Sequence, residues 1–192
     1  MTHNPAPPTA GTDFPCAGGS FVIPGVVGDL ELLTACPPQD SGQAATVVIC
    51  HPHPLHGGSM QNKVVHTLAR AVGELGTRSV RFNFRGVGRS GGEYDHGRGE
   101  TEDLLAVIDW VRARRPKDRI WLAGFSFGSY VALQASVRFD VAQLVLVAPP
   151  YVPYAPALTR AGVDLARAIV VEPRVPRDAL WVAEQALRAG AC

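Results

Sequence analysis

Lysine is nearly missing from this 192-residue chain: it occurs twice, against sixteen arginines. Seventeen acidic residues leave a net charge of +1. No excess of one sign marks a nucleic-acid binder or a partner for acidic membranes. The arginine preference reads as base composition of the gene, not as a phosphate-binding surface. Cysteine is scarce too. Cys16, Cys36, Cys50 and Cys192 form no C-x-x-C pair, and a chain of this length needs no staples, so a reduced, cytoplasmic protein is expected. No apolar run approaches the ~18 residues of a membrane span. The opening M-T-H-N-P has neither the basic nor the apolar region of a signal peptide. One further absence matters for chemistry: none of the six histidines lies beyond His96.

What is present suffices for a core. Apolar residues make up 46% and charged residues 18%, which excludes disorder. The length fits one domain. Residues 1–18, rich in Pro, Thr, Ala and Gly, read as a flexible N-terminal arm. Residues 19–192 read as one domain, with 158–192 atypical of the rest.

Strand-like runs are expected at 20–23, 29–35, 45–50, 78–84, 120–125 and 142–148, with a shorter one at 168–171. Helical periodicity covers 63–75, 100–115, 127–137 and 178–188. The stretch from Pro149 to Pro156 reads as a loop. Apolar strands alternating with helices predict an α/β fold: a mostly parallel sheet with helices on both faces and right-handed crossovers.

The most informative segment is L-A-G-F-S-F-G at 122–128, a G-x-S-x-G between an apolar strand and a helix. In that setting the serine sits on a strained strand-to-helix turn, with its hydroxyl raised above the sheet edge. Side chains at the flanking glycines would crowd it. The plainer alternative is a tight turn whose serine caps the helix.

Upstream lies H-P-H-P-L-H-G-G at 51–58. Its H-x-H-x-x-H spacing raises a metallohydrolase reading. A zinc site needs further ligands, however, and Leu55 stands where the metallo-β-lactamase-type run has Asp. No metal is therefore expected. The histidine side chains are read as holding the loop in shape. The G-V-G-R-S-G-G run at 86–92 contains G-x-G-x-x-G, but no helix opens there, so no dinucleotide cofactor is expected. Arg85 and Arg89 border this loop. They could line the site and meet a substrate carboxylate, although solvated arginine is the plainer reading.

Four segments in order carry a resemblance: C-H-P-H-P-L-H-G-G-S-M-Q-N-K-V-V, R-F-N-F-R-G-V-G-R-S-G-G, G-E-T-E-D-L-L-A-V-I-D-W and L-A-G-F-S-F-G-S. Over about residues 45–150 the chain resembles small bacterial α/β-hydrolase-fold serine hydrolases. The resemblance implies a three-layer α/β-hydrolase-like fold. It also implies hydrolysis of a small ester or thioester without cofactor. Ser126 would be the nucleophile, and the Phe127 N–H would be one oxyanion donor. Pro52 and Pro54 lack an N–H, which narrows the second donor to His53 or Leu55. His53 holds the family's usual place.

The chain departs from the family after residue 150. The fold orders its triad Ser, Asp/Glu, His. Glu172, after the run at 168–171, sits nearest the acid's expected place, and no histidine follows Ser126. A missing last strand and an altered or truncated C-terminal segment are expected. Ser126 would then be impaired, with His51, His53 or a second subunit as substitute base. The rival outcomes are a non-catalytic relative that binds a ligand or protein, and the metallohydrolase. An open sheet edge predicts low stability or a homodimer.

Overall fold

All six residues of β3 (Ala45–Cys50) are buried, as its unbroken apolar run requires of a central strand. The computed structural model describes residues 13–16, 19–38, 44–173, 175, 178, 181–182 and 184–185. In chain order these form β1 (Phe21–Pro24), β2 (Asp29–Ala35), β3, α1 (Lys63–Glu74), β4 (Arg78–Phe82) and α2 (Arg98–Arg114). Then come β5 (Arg119–Phe125), α3 (Phe127–Arg138), β6 (Gln143–Val147), α4 (Ala155–Arg160) and β7 (Ala168–Val171). The described strands make one sheet in the order β1-β2-β4-β3-β5-β6-β7. β1, β2 and β4 pair antiparallel, and the remaining pairings are parallel. The expected α/β class and parallel core are therefore observed.

The two-residue period of the strands divides the core between two faces. Val48, Leu122, Leu144 and Leu146 join Leu104, Ile108 and Val111 of α2 and Val131 and Ala135 of α3. Val47, Ile49, Ala123 and Val145 turn to the other face, against Val64, Val65, Leu68 and Val72 of α1. Helix α1 starts where Asn62 caps it, its side chain accepting the Val64 N–H at 2.9 Å.

β3 has β4 on one side and β5 on the other. The strand order reverses there, which opens a crevice at the C-terminal ends of β3 and β5. Both the His-Pro loop and the G-x-S-x-G turn leave the sheet at that edge.

Two expectations need amending. Cys16 and Cys36 form a disulfide, so the all-reduced expectation fails. The cysteines consequently offer no argument for a reducing compartment. The pairing follows from where the chain runs. Phe14 packs on Trp110 of α2 at 5.7 Å between ring centroids, and Thr34 Oγ1 donates to the Pro15 carbonyl at 2.6 Å. These contacts lay residues 13–16, part of the stretch expected as a loose arm, beside the end of β2. Cys50 is a free, buried thiol, and burial pushes its pKa up. The second amendment is α4, which begins inside the expected 149–156 loop. The helix expected at 178–188 falls largely outside the described residues, which there are 178, 181–182 and 184–185. Among the described residues no helix is long and apolar enough to cross a membrane.

Candidate active site

The G-x-S-x-G serine sits between β5 and α3 with φ 53° and ψ −119°. Positive φ is a strained conformation for a non-glycine residue and needs surrounding structure to hold it. Here the Ser126 N–H donates to the Val147 carbonyl at 2.9 Å. Ser129 Oγ lies within hydrogen-bond distance of the Gly124 and Val147 carbonyls, at 2.7 and 3.0 Å. The two glycines are spatial requirements: a Cβ at Gly124 would overlap the Gly128 carbonyl, and one at Gly128 would overlap that of Cys50. The second close approach presses the start of α3 against the end of β3. It thereby sets the elbow beside the His-Pro loop. Helix geometry leaves the Phe127 N–H without an intrahelical acceptor.

Ser126 lines a cleft of about 420 Å³ together with Ala148, Tyr151, Val152 and Glu172. Thus the candidate nucleophile and the candidate acid share one cleft. Glu172 is exposed, one residue beyond β7. Ala148, where the chain leaves β6, also takes a positive φ of 45°. Its N–H donates to the Val171 carbonyl at 2.8 Å.

His51 is fully buried beneath the loop. Its Nε2 accepts the Phe84 N–H at 3.0 Å, so the proton sits on Nδ1, which donates to the Pro52 carbonyl at 2.6 Å. Burial drives its pKa down to about 4, against the opposing pull of that carbonyl. With both ring nitrogens engaged, His51 neither lines the cleft nor serves as a substitute base. It is a buried strut.

His53 is half-buried at the mouth of the loop. Its Nδ1 accepts the Leu55 N–H at 3.2 Å, which places the proton on Nε2, 3.1 Å from the Tyr94 hydroxyl. Desolvation, then the neighbouring His56, hold its pKa below the ordinary histidine value. Its ring lies 4.5 Å from that of His56 and 4.9 Å from that of Phe127. The H-x-H-x-x-H run does not converge on a metal position: one ring is a buried strut, and the other two stack on each other. Among the described residues no cluster of three or more His, Cys, Asp or Glu is arranged to hold a metal.

The two arginines belong elsewhere. Arg85 is buried, not solvated: its Nε and Nη2 grip Asp103 at 3.0 and 2.8 Å, and its N–H donates to the same carboxylate at 3.0 Å. Arg89 Nε pairs with Glu31 at 3.1 Å, and its Nη2 reaches Ser20. Glu31 also accepts from Ser20 and Asn83. Burial alone would push its pKa up, but these hydrogen bonds, that of the Arg89 N–H foremost, hold it below the ordinary value. Both arginines brace the glycine loop and contact no part of the Ser126 cleft. Sequence reasoning missed Tyr94, whose partner His53 is 41 residues away.

The chain belongs to the alpha/beta hydrolase fold family, whose family model matches residues 45–166. It is similar to a solved alpha-beta serine hydrolase homologue from Coxiella burnetii, with 47% identity and a TM-score of 0.75. That match covers 82% of this chain and 74% of the other. It is also similar to a serine hydrolase without lid from Xanthomonas campestris, with 36% identity and a TM-score of 0.77, covering 93% and 97%. An uncharacterised protein of Rickettsia prowazekii is 38% identical over 112 residues, which is 57% of this chain and 47% of that protein. The chain spans less than half the length of the curated relatives it matches first.

Proposed function

We propose that this chain carries the acyl-transfer centre of a serine hydrolase for small carboxylic esters or thioesters. Ser126 is the nucleophile, and the N–H groups of Phe127 and His53 are the oxyanion donors. Glu172 is the carboxylate on the acid's side of the cleft. The observation that carries the reading is the strained Ser126 backbone at the junction of β5 and α3, facing a cleft it shares with Glu172. The likeness to solved serine hydrolases supports the same chemistry.

In the proposed reaction Ser126 Oγ bonds to the substrate carbonyl carbon, and the carbonyl oxygen takes the negative charge between the two N–H groups. The C–O or C–S bond to the leaving group then breaks, and water later cleaves the acyl-serine. The hydroxyl proton needs a base, and in this chain solvent water must take it and supply one to the leaving alcohol or thiol. His51 is closed to that role, and His53 Nε2 already carries a proton. No histidine follows Ser126 in the 192 residues. The 192-residue chain is therefore impaired: the oxyanion hole and binding alone leave roughly 10³–10⁴ over water in serine proteases. No cofactor enters this chemistry. Self-association along β7, the outermost described strand at its side of the sheet, is part of the same reading. Sedimentation equilibrium tests it.

The experiment is hydrolysis of p-nitrophenyl acetate by the 192-residue chain and by Ser126→Ala. A slow rate above background that disappears in the variant is expected. Equal rates in both, with specific binding of an ester-like ligand, would favour a non-catalytic binding relative.

A further inference from the structure

The glycine loop has so far no part in the chemistry, yet its end touches the oxyanion loop. The Tyr94 hydroxyl meets His53 Nε2 at 3.1 Å. Because Nδ1 accepts the Leu55 N–H, Nε2 is the donor and the tyrosine oxygen accepts. The ring is thus fixed at both nitrogens. It also packs on Phe127 at 4.9 Å, and Tyr94 packs on Phe127 at 5.8 Å. Two residues whose amides are the oxyanion donors therefore meet through their side chains, with Tyr94 as the third member.

Tyr94 is itself held from below. The fully buried Glu100 accepts the Asp95 N–H at 2.8 Å and the Gly97 N–H at 2.7 Å. A buried carboxylate is costly unless it is hydrogen-bonded. Here both oxygens are used to fix the short turn that follows Tyr94. The Asp95 carboxylate in turn accepts the Gly99 N–H at 3.1 Å. A bonded path runs from α2 through 95–97 to Tyr94 and on to His53.

We propose that Tyr94 is a positioning residue for the oxyanion hole: its hydroxyl orients the His53 ring and, through it, the His53 amide that receives the substrate's negative charge. The inference rests on the proposed hydrolase reading. Tyr94 acts through His53 and does not touch the reacting atoms. His56, His96, Glu100 and Tyr130 are the other titratable groups acting on the pair.

Tyr94→Phe keeps the ring contacts and removes only the hydroxyl. The test compares the second-order rate of fluorophosphonate labelling at Ser126, the KM for p-nitrophenyl acetate, and the ¹⁵N shifts of the His53 ring. The variant is expected to label about three- to ten-fold more slowly, the effect of one lost hydrogen bond. Its KM should be unchanged, and the His53 Nε2 resonance should shift because its acceptor is lost, while the Leu55 N–H on Nδ1 keeps the proton on Nε2. Equal labelling rates in wild type and a folded variant overturn the inference alone. Slower labelling with an unchanged His53 spectrum, or with a raised KM, overturns the route through His53. No labelling of the wild type at Ser126 overturns the hydrolase reading and the inference together.

Discussion

His51 Nε2 accepts the Phe84 N–H at 3.0 Å, tying the loop after β3 to the end of the neighbouring strand segment. The bond exists only while the ring is neutral. A histidine depressed in the folded state to about 4 and near 6.5 when unfolded favours unfolding as it protonates. The stability it contributes is complete above pH 6.5 and falls as pH drops from 6.5 towards 4. The loss is expected to reach about 3 kcal/mol. Urea titrations across pH 4–7 measure it. His51→Gln should flatten that part of the profile, and an equally steep profile in the variant would assign the loss to other groups.

Gly128→Ala places a methyl against the Cys50 carbonyl. Neither backbone can retreat without opening the contact between β3 and α3. We expect destabilisation of about 2 kcal/mol or more, together with loss of Ser126 labelling in whatever folds. Circular dichroism melts and labelling of the same sample separate the two effects. A variant as stable and as reactive as wild type would show that the close approach is not needed.

Asp103→Ala strands the buried Arg85 guanidinium, which the carboxylate grips at two nitrogens. Removing one partner of a buried pair typically costs about 3–5 kcal/mol. Asp103→Asn should cost less because it keeps an acceptor. If Arg85 were a substrate contact, Asp103→Ala would instead raise KM with little change in the unfolding midpoint.

The sheet was legible because periodicity reports burial directly. β2, β3 and β7 have the bounds expected from their apolar runs, and α1 and α3 differ from expectation by one residue each. Helix α4 was not legible. Pro149, Pro150, Pro153 and Pro156 read as breakers, yet Pro156 falls in the first turn of the helix, where its missing N–H costs nothing. Arg85 was misread for a related reason. It sits among glycines that signal an exposed loop, while the Asp103 that buries it lies eighteen residues on. The elbow could be read from five residues, because strain and close approach are local. The Cys16–Cys36 and Tyr94–His53 contacts depend on how distant segments return to the sheet, and no short motif records that.

The central claim is that Ser126 is the nucleophile, slow for want of a base, facing an oxyanion hole. Its most direct test is fluorophosphonate labelling of the 192-residue chain, followed by peptide mass spectrometry. The account expects one phosphonylated residue, Ser126, and no labelling in Ser126→Ala. A folded wild-type chain that stays unlabelled, or a label on any other residue that persists in Ser126→Ala, would contradict it.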